Sequence, residues 1–180
     1  MRWRRASLAT LAIALGVSGF RSLCQGVPAS REQRHFSAED EGVKNPSTIP
    51  DEVMAILRND RLVQNVAKDQ EIPLDKVPAT WFSASRIKLG GAGPTDLIVA
   101  AEGPLAGGNV DVFWVFIQQN GSFKQALMLP AHDLIVKNTV SHGHRDIEAL
   151  AVIALTVSTG RFRFNGKVYK RYTSKTDDIK

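Results

Sequence analysis

The spacing of apolar positions divides the chain into a charge-free apolar run near the N-terminus, a short helical pattern, and then a long succession of β patterns. The helical pattern covers residues 48–66. Ser47 or Thr48 is placed to cap it, Pro50 suits a first turn, and Asp51 and Glu52 complement the N-terminal dipole. Val53, Ile56, Leu57, Leu62, Val63 and Val66 then recur at helical spacing, with Asn59-Asp60 as a point of interruption. One or two short helices are expected, closed by a turn-rich connector at Pro73 and Pro78. From Trp81 onward the period changes. Ile87 and Leu89 alternate with Arg86 and Lys88, Gly90-Gly91-Ala92-Gly93-Pro94 reads as a turn, and Leu97-Ile98-Val99-Ala100 is a continuous apolar strand pattern.

Two Asn-Gly pairs predict hairpins, because this dipeptide accepts positive φ at both central positions of a type I′ turn. Asn120-Gly121 separates residues 112–118 from 123–129, and Asn165-Gly166 separates 162–164 from 168–172. A two-residue loop at the second turn pairs Phe162 with Tyr169 and puts Phe162, Phe164 and Tyr169 on one face, opposite Arg161, Arg163 and Lys170. The same rule at the first turn puts Trp114, Phe116, Phe123, Leu127 and Leu129 on one face and Phe113, Val115, Ile117 and Met128 on the other. Both faces of that pair are apolar, so it should lie centrally. Residues 147–157 form a long apolar, β-branched run that reads as one buried strand, with a helix as the alternative. Asp96-Leu97 and Asp146-Ile147 each lead through apolar strands to an Asn-Gly turn, a faint repeat whose two units are expected to be paired halves of one sheet. The fold class is therefore mainly β (α+β): an antiparallel sheet of hairpins preceded by one or two short helices.

Arg2, Arg4 and Arg5 followed by the charge-free residues 6–20 make the n-region and h-region of a secretory signal, too short and too polar for a membrane-spanning helix. Val27-Pro28-Ala29 places small residues at the peptidase positions, so cleavage is expected after Ala29, leaving a periplasmic or secreted protein with no membrane span. Arg21-Ser22-Leu23 ahead of Cys24 is unsuited to lipoprotein processing. Residues 30–47, polar and mixed in charge, read as a flexible spacer, 48–172 as a single globular domain, and 173–180 as a polar tail. Subtracting the signal alters the charge. The whole chain has 23 basic and 18 acidic residues, but Arg2, Arg4, Arg5 and Arg21 leave with the signal, so 19 basic face 18 acidic. Nucleic-acid binding loses its compositional support. Cys24 is the one cysteine, so the mature chain is expected to have neither a disulfide nor a thiol nucleophile.

Candidate chemistry is sparse. His142 and His144, two residues apart and followed by Arg145-Asp146, share a face if extended, and with His132-Asp133 they make the set a metal-dependent hydrolase would use. The alternative is a polar loop in which Gly143 permits a tight turn. Ser85-x-x-Lys88 matches an acyl-enzyme spacing, but on a strand the two side chains point to opposite faces. Asn120-Gly121-Ser122 fits a glycosylation sequon that its turn already explains. Glycine-rich residues 103–108 lack a phosphate-loop lysine, and Gly107, Gly108 and Asn109 read as a flexible connection at the rim of a binding surface. No cofactor is implied.

The segment from Leu89 to Val99 resembles the loop and strand of extracellular FG-GAP or VCBS repeat units, whose loop carboxylates hold calcium. Only Asp96 stands at such a position here, too few oxygens for that ion. Trp81-Phe82, Asp96-Leu97-Ile98-Val99, Gly108-Asn109 ahead of Phe113-Trp114-Val115-Phe116, Gly143-x-Arg145-Asp146-Ile147, and Phe162-x-Phe164-Asn165-Gly166-x-x-Tyr169 together resemble a family of uncharacterised exported bacterial β-rich proteins. That resemblance implies a fold and no activity. The expectation is an exported non-enzymatic binding or interaction domain that engages a protein or cell-envelope component through Gly107, Gly108, Asn109, His142, His144, Arg145 and Asp146. A metal-dependent hydrolase is the alternative.

Overall fold

Asn59-Asp60 does break the helical segment. In the computed structural model, which describes residues 32–178 apart from 40, 41, 92, 94 and 154, α1 runs Asp51–Arg58 and α2 Arg61–Asp69. Pro50 takes the N-cap position of α1 without a side-chain cap, so neither Ser47 nor Thr48 serves there. Asp60 caps α2, its carboxylate accepting from the Leu62 N–H at 2.8 Å. The signal peptide (1–29) and Cys24 lie outside the described residues.

Among the described residues, nine strands form two antiparallel sheets. They are β1 (His35–Ser37), β2 (Phe82–Ile87), β3 (Asp96–Ala101), β4 (Asp111–Gln119), β5 (Ser122–Ala131), β6 (Asp133–Ser141), β7 (His144–Ile153), β8 (Thr156–Phe164) and β9 (Tyr169–Asp178). One sheet has the order β2-β3-β4-β5 and the other β1-β6-β7-β8-β9. The fold is mainly β with two short helices. Its layers follow from alternation along β4. Phe113, Val115 and Ile117 face the five-stranded sheet, where they meet Phe36, Leu134, Ile147, Phe162, Phe164 and Tyr169. Trp114 and Phe116 face the helices, where they meet Val53, Leu57, Val63 and Trp81. The four-stranded sheet is thus the middle of three layers, as its two apolar faces require.

The structure amends the strand register in two places. Asn120-Gly121 forms the expected two-residue turn, with φ of 51° and 83° and Gln119 paired to Ser122. A β-bulge then intervenes: Phe116 pairs with Gln125 but Val115 with Leu127. The extra residue, Ala126, reverses the parity beyond it, so Leu127 and Leu129 join Phe113 and Val115 rather than Trp114. At Asn165-Gly166 the loop has four residues, closed by the Asn165 side chain accepting from the Lys167 and Val168 N–H groups, and Phe164 rather than Phe162 pairs with Tyr169. A slip of two residues keeps the parity, so Phe162, Phe164 and Tyr169 still share the buried face.

Four further expectations are corrected. The run 147–157 is neither one strand nor a helix. It reverses between Ile153 and Thr156, which pair, so it supplies β7 and the start of β8. The two repeat units occupy different sheets. The flexible spacer is pinned at several points: β1 pairs with β6, Phe36 is fully buried, and the Ser47 N–H donates to Ala84 O. Gln33 organises this segment, donating to His35 O and Gly42 O and accepting from the Lys44 N–H. The polar tail begins as strand, because β9 continues to Asp178.

Candidate functional site

The sequence-selected residues fall at opposite ends of the molecule. His142-Gly143 is the turn of the β6–β7 hairpin, with φ of 48° and 80° and Ser141 paired to His144. The His144 ring lies against Phe164, with centroids 4.2 Å apart, and the His144 backbone forms a β-bridge to Gly90. The Arg145 N–H donates to Leu89 O, and its own carbonyl accepts from the Tyr169 hydroxyl at 2.9 Å. Burial, with Asp96 and Asp146 nearby, holds the Tyr169 phenol well above its usual pKa, so it stays a donor. These contacts fasten the β6–β7 turn to Leu89 and Gly90, which follow β2 of the other sheet. Asp96 completes the clasp: its carboxylate accepts from the N–H groups of Leu89, Gly90 and Gln118. Burial raises its pKa despite those donors and the His144 charge. A carboxylate used up in this way closes a loop rather than holding calcium.

Asp146 is also buried. Its Oδ2 lies 3.8 Å from Arg163 Nε, and Oδ1 has no hydrogen-bond partner. Arg145 Nη1 and Arg34 Nη1 both donate to Asn138 Oδ1, at 3.2 and 2.7 Å.

Gly107, Gly108 and Asn109 lie elsewhere, beside the start of β4. Asp111 and Gln118 are seven residues apart on that strand, roughly 23 Å at about 3.3 Å per residue. The His144 clasp sits at the Gln118 end. The structure does not join the two groups in one surface. The hydrolase set fares no better, because His132-Asp133 begins β6 and His142 follows its end. Among the described residues, no three His, Cys, Asp or Glu side chains are arranged to hold a metal ion.

What the tertiary structure does assemble is at the Asp111 end. His35 Nε2 meets Asp133 Oδ1 at 2.7 Å, His132 Nδ1 meets Asp133 Oδ2 at 3.0 Å, and His132 Nε2 meets Glu39 Oε1 at 3.3 Å. The hydrogen bond to Asp133 raises the His132 pKa, against burial, with Glu39 adding to it. Burial acts to raise the Asp133 pKa, but hydrogen bonds from His35, His132 and Ser37 outweigh it and the carboxyl is lowered. His35 and Glu39 were invisible to sequence reading because β1 brings them there from about 100 residues away, and no spacing encodes that.

Beside this cluster runs a groove of about 510 Å³. One wall is the chain after β1, with Ala38, Gly42, Val43, Lys44 and Pro46. The other is the end of β3 and the loop into β4, with Ala100, Glu102, Ala106, Gly107 and Asp111. The Ala38 N–H donates to His132 O, and Asp111 pairs with Ala131, so groove and histidine cluster share one end of the fold. Burial, then the nearby Asp111 charge, raises the Glu102 pKa. Burial also raises that of Asp111, opposed by its bond from the Gly107 N–H at 3.0 Å. Gly107 has a local reason to be glycine, since a β-carbon there would overlap the Val110 carbonyl oxygen. Of the sequence-selected residues only Gly107 lines the groove; Gly108 and Asn109 lie exposed on the same loop.

The arrangement presents two partly desolvated carboxylates on one wall and an exposed ammonium on the other. Among the described residues, none that lines the groove is a serine, threonine, cysteine or histidine. Comparison of the sequence with family models and with curated proteins, and of the fold with solved structures, returns no match.

Proposed function

We propose that the chain is an exported non-enzymatic binding domain, and that its ligand site is the groove between residues 38–46 and the loop preceding β4. The observation that carries this reading is the carboxylate pair. Glu102 and Asp111 are close enough for one to raise the pKa of the other, and burial raises both. A ligand cation placed between them relieves that repulsion and receives charge-assisted hydrogen bonds. The ligand class is therefore a protein or cell-envelope component presenting a primary amine or guanidinium, with Lys44 placed to meet an acidic group on it.

Calorimetric titration with a lysine-containing peptide and its Nε-acetylated counterpart tests this. The free amine should bind the native protein, and E102Q/D111N should weaken it about tenfold or more, the scale of one lost charge-assisted contact. Equal binding of both peptides, or of native and variant protein, overturns the reading. Export rests on the N-terminal pattern of residues 1–29. The intact mass of protein recovered outside the cytoplasm should correspond to a chain starting at Ser30, and recovery of the full-length mass alone would refute it.

A further inference from the structure

We propose that β9 is a docking edge for a second copy of this chain, the two β9 strands pairing antiparallel about Ser174 so that their five-stranded sheets run on as one. β9 is the outermost strand of its sheet, bonded to β8 along one side. Every residue after Tyr169 on this ten-residue strand is exposed. Such an edge presents a row of backbone donors and acceptors to any extended chain, and proteins ordinarily guard it with charge. Lys170, Arg171 and Lys175 do so against a strand of arbitrary sequence.

The charges on β9 are ordered, however. Lys170-Arg171 stands at one end and Asp177-Asp178 at the other. Antiparallel pairing across a two-fold axis at Ser174 sets the basic end of each copy against the acidic end of its partner. The irregularity in β9 refines the register. Phe162 pairs with Arg171 and Arg161 with Thr173, so Tyr172 is an extra residue in the strand. With Tyr172 set aside, Lys170 and Asp177 each lie three pairing steps from Ser174. They are also on the same face, that of their β8 partners Arg163 and Val157. Lys170 is then directly opposite Asp177 of the second copy, and Arg171 is diagonal to Asp178 on the other face. Two direct and two diagonal ion pairs form across the axis, Lys170 sharing Asp177 with the Lys175 that already holds it at 2.7 Å within β9, and Arg171 turning from its place over the Phe162 ring. Parallel pairing sets like charges together instead, so β9 selects itself in one direction. This inference is independent of the groove.

Sedimentation equilibrium of the exported protein tests it, with D177K/D178K, K170D/R171D and the four substitutions combined. The native chain should dimerise. Each double variant should weaken the dimer about tenfold or more, and the combination, which restores complementarity with the signs exchanged, should return to within about threefold of native. S174C in a C24S background should form an intermolecular disulfide under mild oxidation, because the two copies of residue 174 face each other at the axis. That readout stands even if a charge-swapped variant fails to fold. A native chain that stays monomeric overturns the proposal. A dimer indifferent to all the swaps is joined elsewhere, and overturns it equally.

Discussion

At the scale of single residues, Asp133 and Asp96 show two ways of keeping a carboxylate at the end of a strand. Asp96 is almost wholly buried and occupied by backbone N–H groups, so it belongs to the architecture. Asp133 is engaged by two imidazoles and so couples stability to pH. His132 has a pKa raised by Asp133 and Glu39, which means its protonated form is favoured in the folded state. That stabilisation is fully present below the unfolded value of about 6.5 and is lost as pH rises through the higher folded value. Urea midpoints of native protein and H132Q, taken from about pH 6 to about pH 8.5, should show the native protein losing more stability than the variant over that interval. Parallel curves would show that the His132–Asp133 pair contributes nothing to the linkage.

At the scale of elements, turns and bulges decide which face each strand buries. The Asn120-Gly121 turn holds Gly121 at φ 83°, a region that costs an L-residue roughly 1–2 kcal/mol. Gly121→Ala should therefore lower stability by about 1 kcal/mol. Gly108→Ala is the matched control, because a β-carbon there meets nothing within 4 Å and no positive φ is involved. Chemical denaturation of the two variants checks this, and equal losses would mean the turn strain is absorbed elsewhere. The Ala126 bulge acts in the same hairpin with the opposite effect on legibility. The turn is written in two residues, whereas the bulge has no marker and moves Leu127 and Leu129 across the sheet.

At the scale of the whole molecule, the segment 32–47 is a strap that closes one end of the sandwich. Its anchor is Phe36, fully buried among the residues between the two sheets, and it carries Ala38 and Lys44 to the groove and His35 and Glu39 to the histidine cluster beside it. Phe36→Ala should cost about 3–5 kcal/mol, in the range for a buried aromatic truncated to alanine. It should also release the strap, so hydrogen exchange at Ser37, Ala38 and Lys44 should rise before that of β3 and β4. Uniform exchange across the fold would show that the strap opens only with global unfolding. Two surfaces at different places follow from this layout: a polar groove under the strap and an open strand edge at β9.

Local chemistry in the chain was enough to determine the β-rich class, the break between α1 and α2, the Asn120-Gly121 hairpin, the two apolar faces of β4, and the one-sided burial of Phe162, Phe164 and Tyr169. Each depends on neighbours within a few residues, where periodicity and turn preference act directly. Tertiary structure alone decided the rest. It split residues 147–157 into two strands without a turn signal, placed a bulge at Ala126, and ordered residues 35–37 by pairing them with β6. It set the His142–Asp146 turn and the Gly107 loop at opposite ends, and brought Glu39 to His132 and Glu102 beside Asp111. The physical reason is common to all of these. The partner that rewards each arrangement is distant in sequence, and burial between sheets or across a groove has no counterpart in the spacing of residues along a strand.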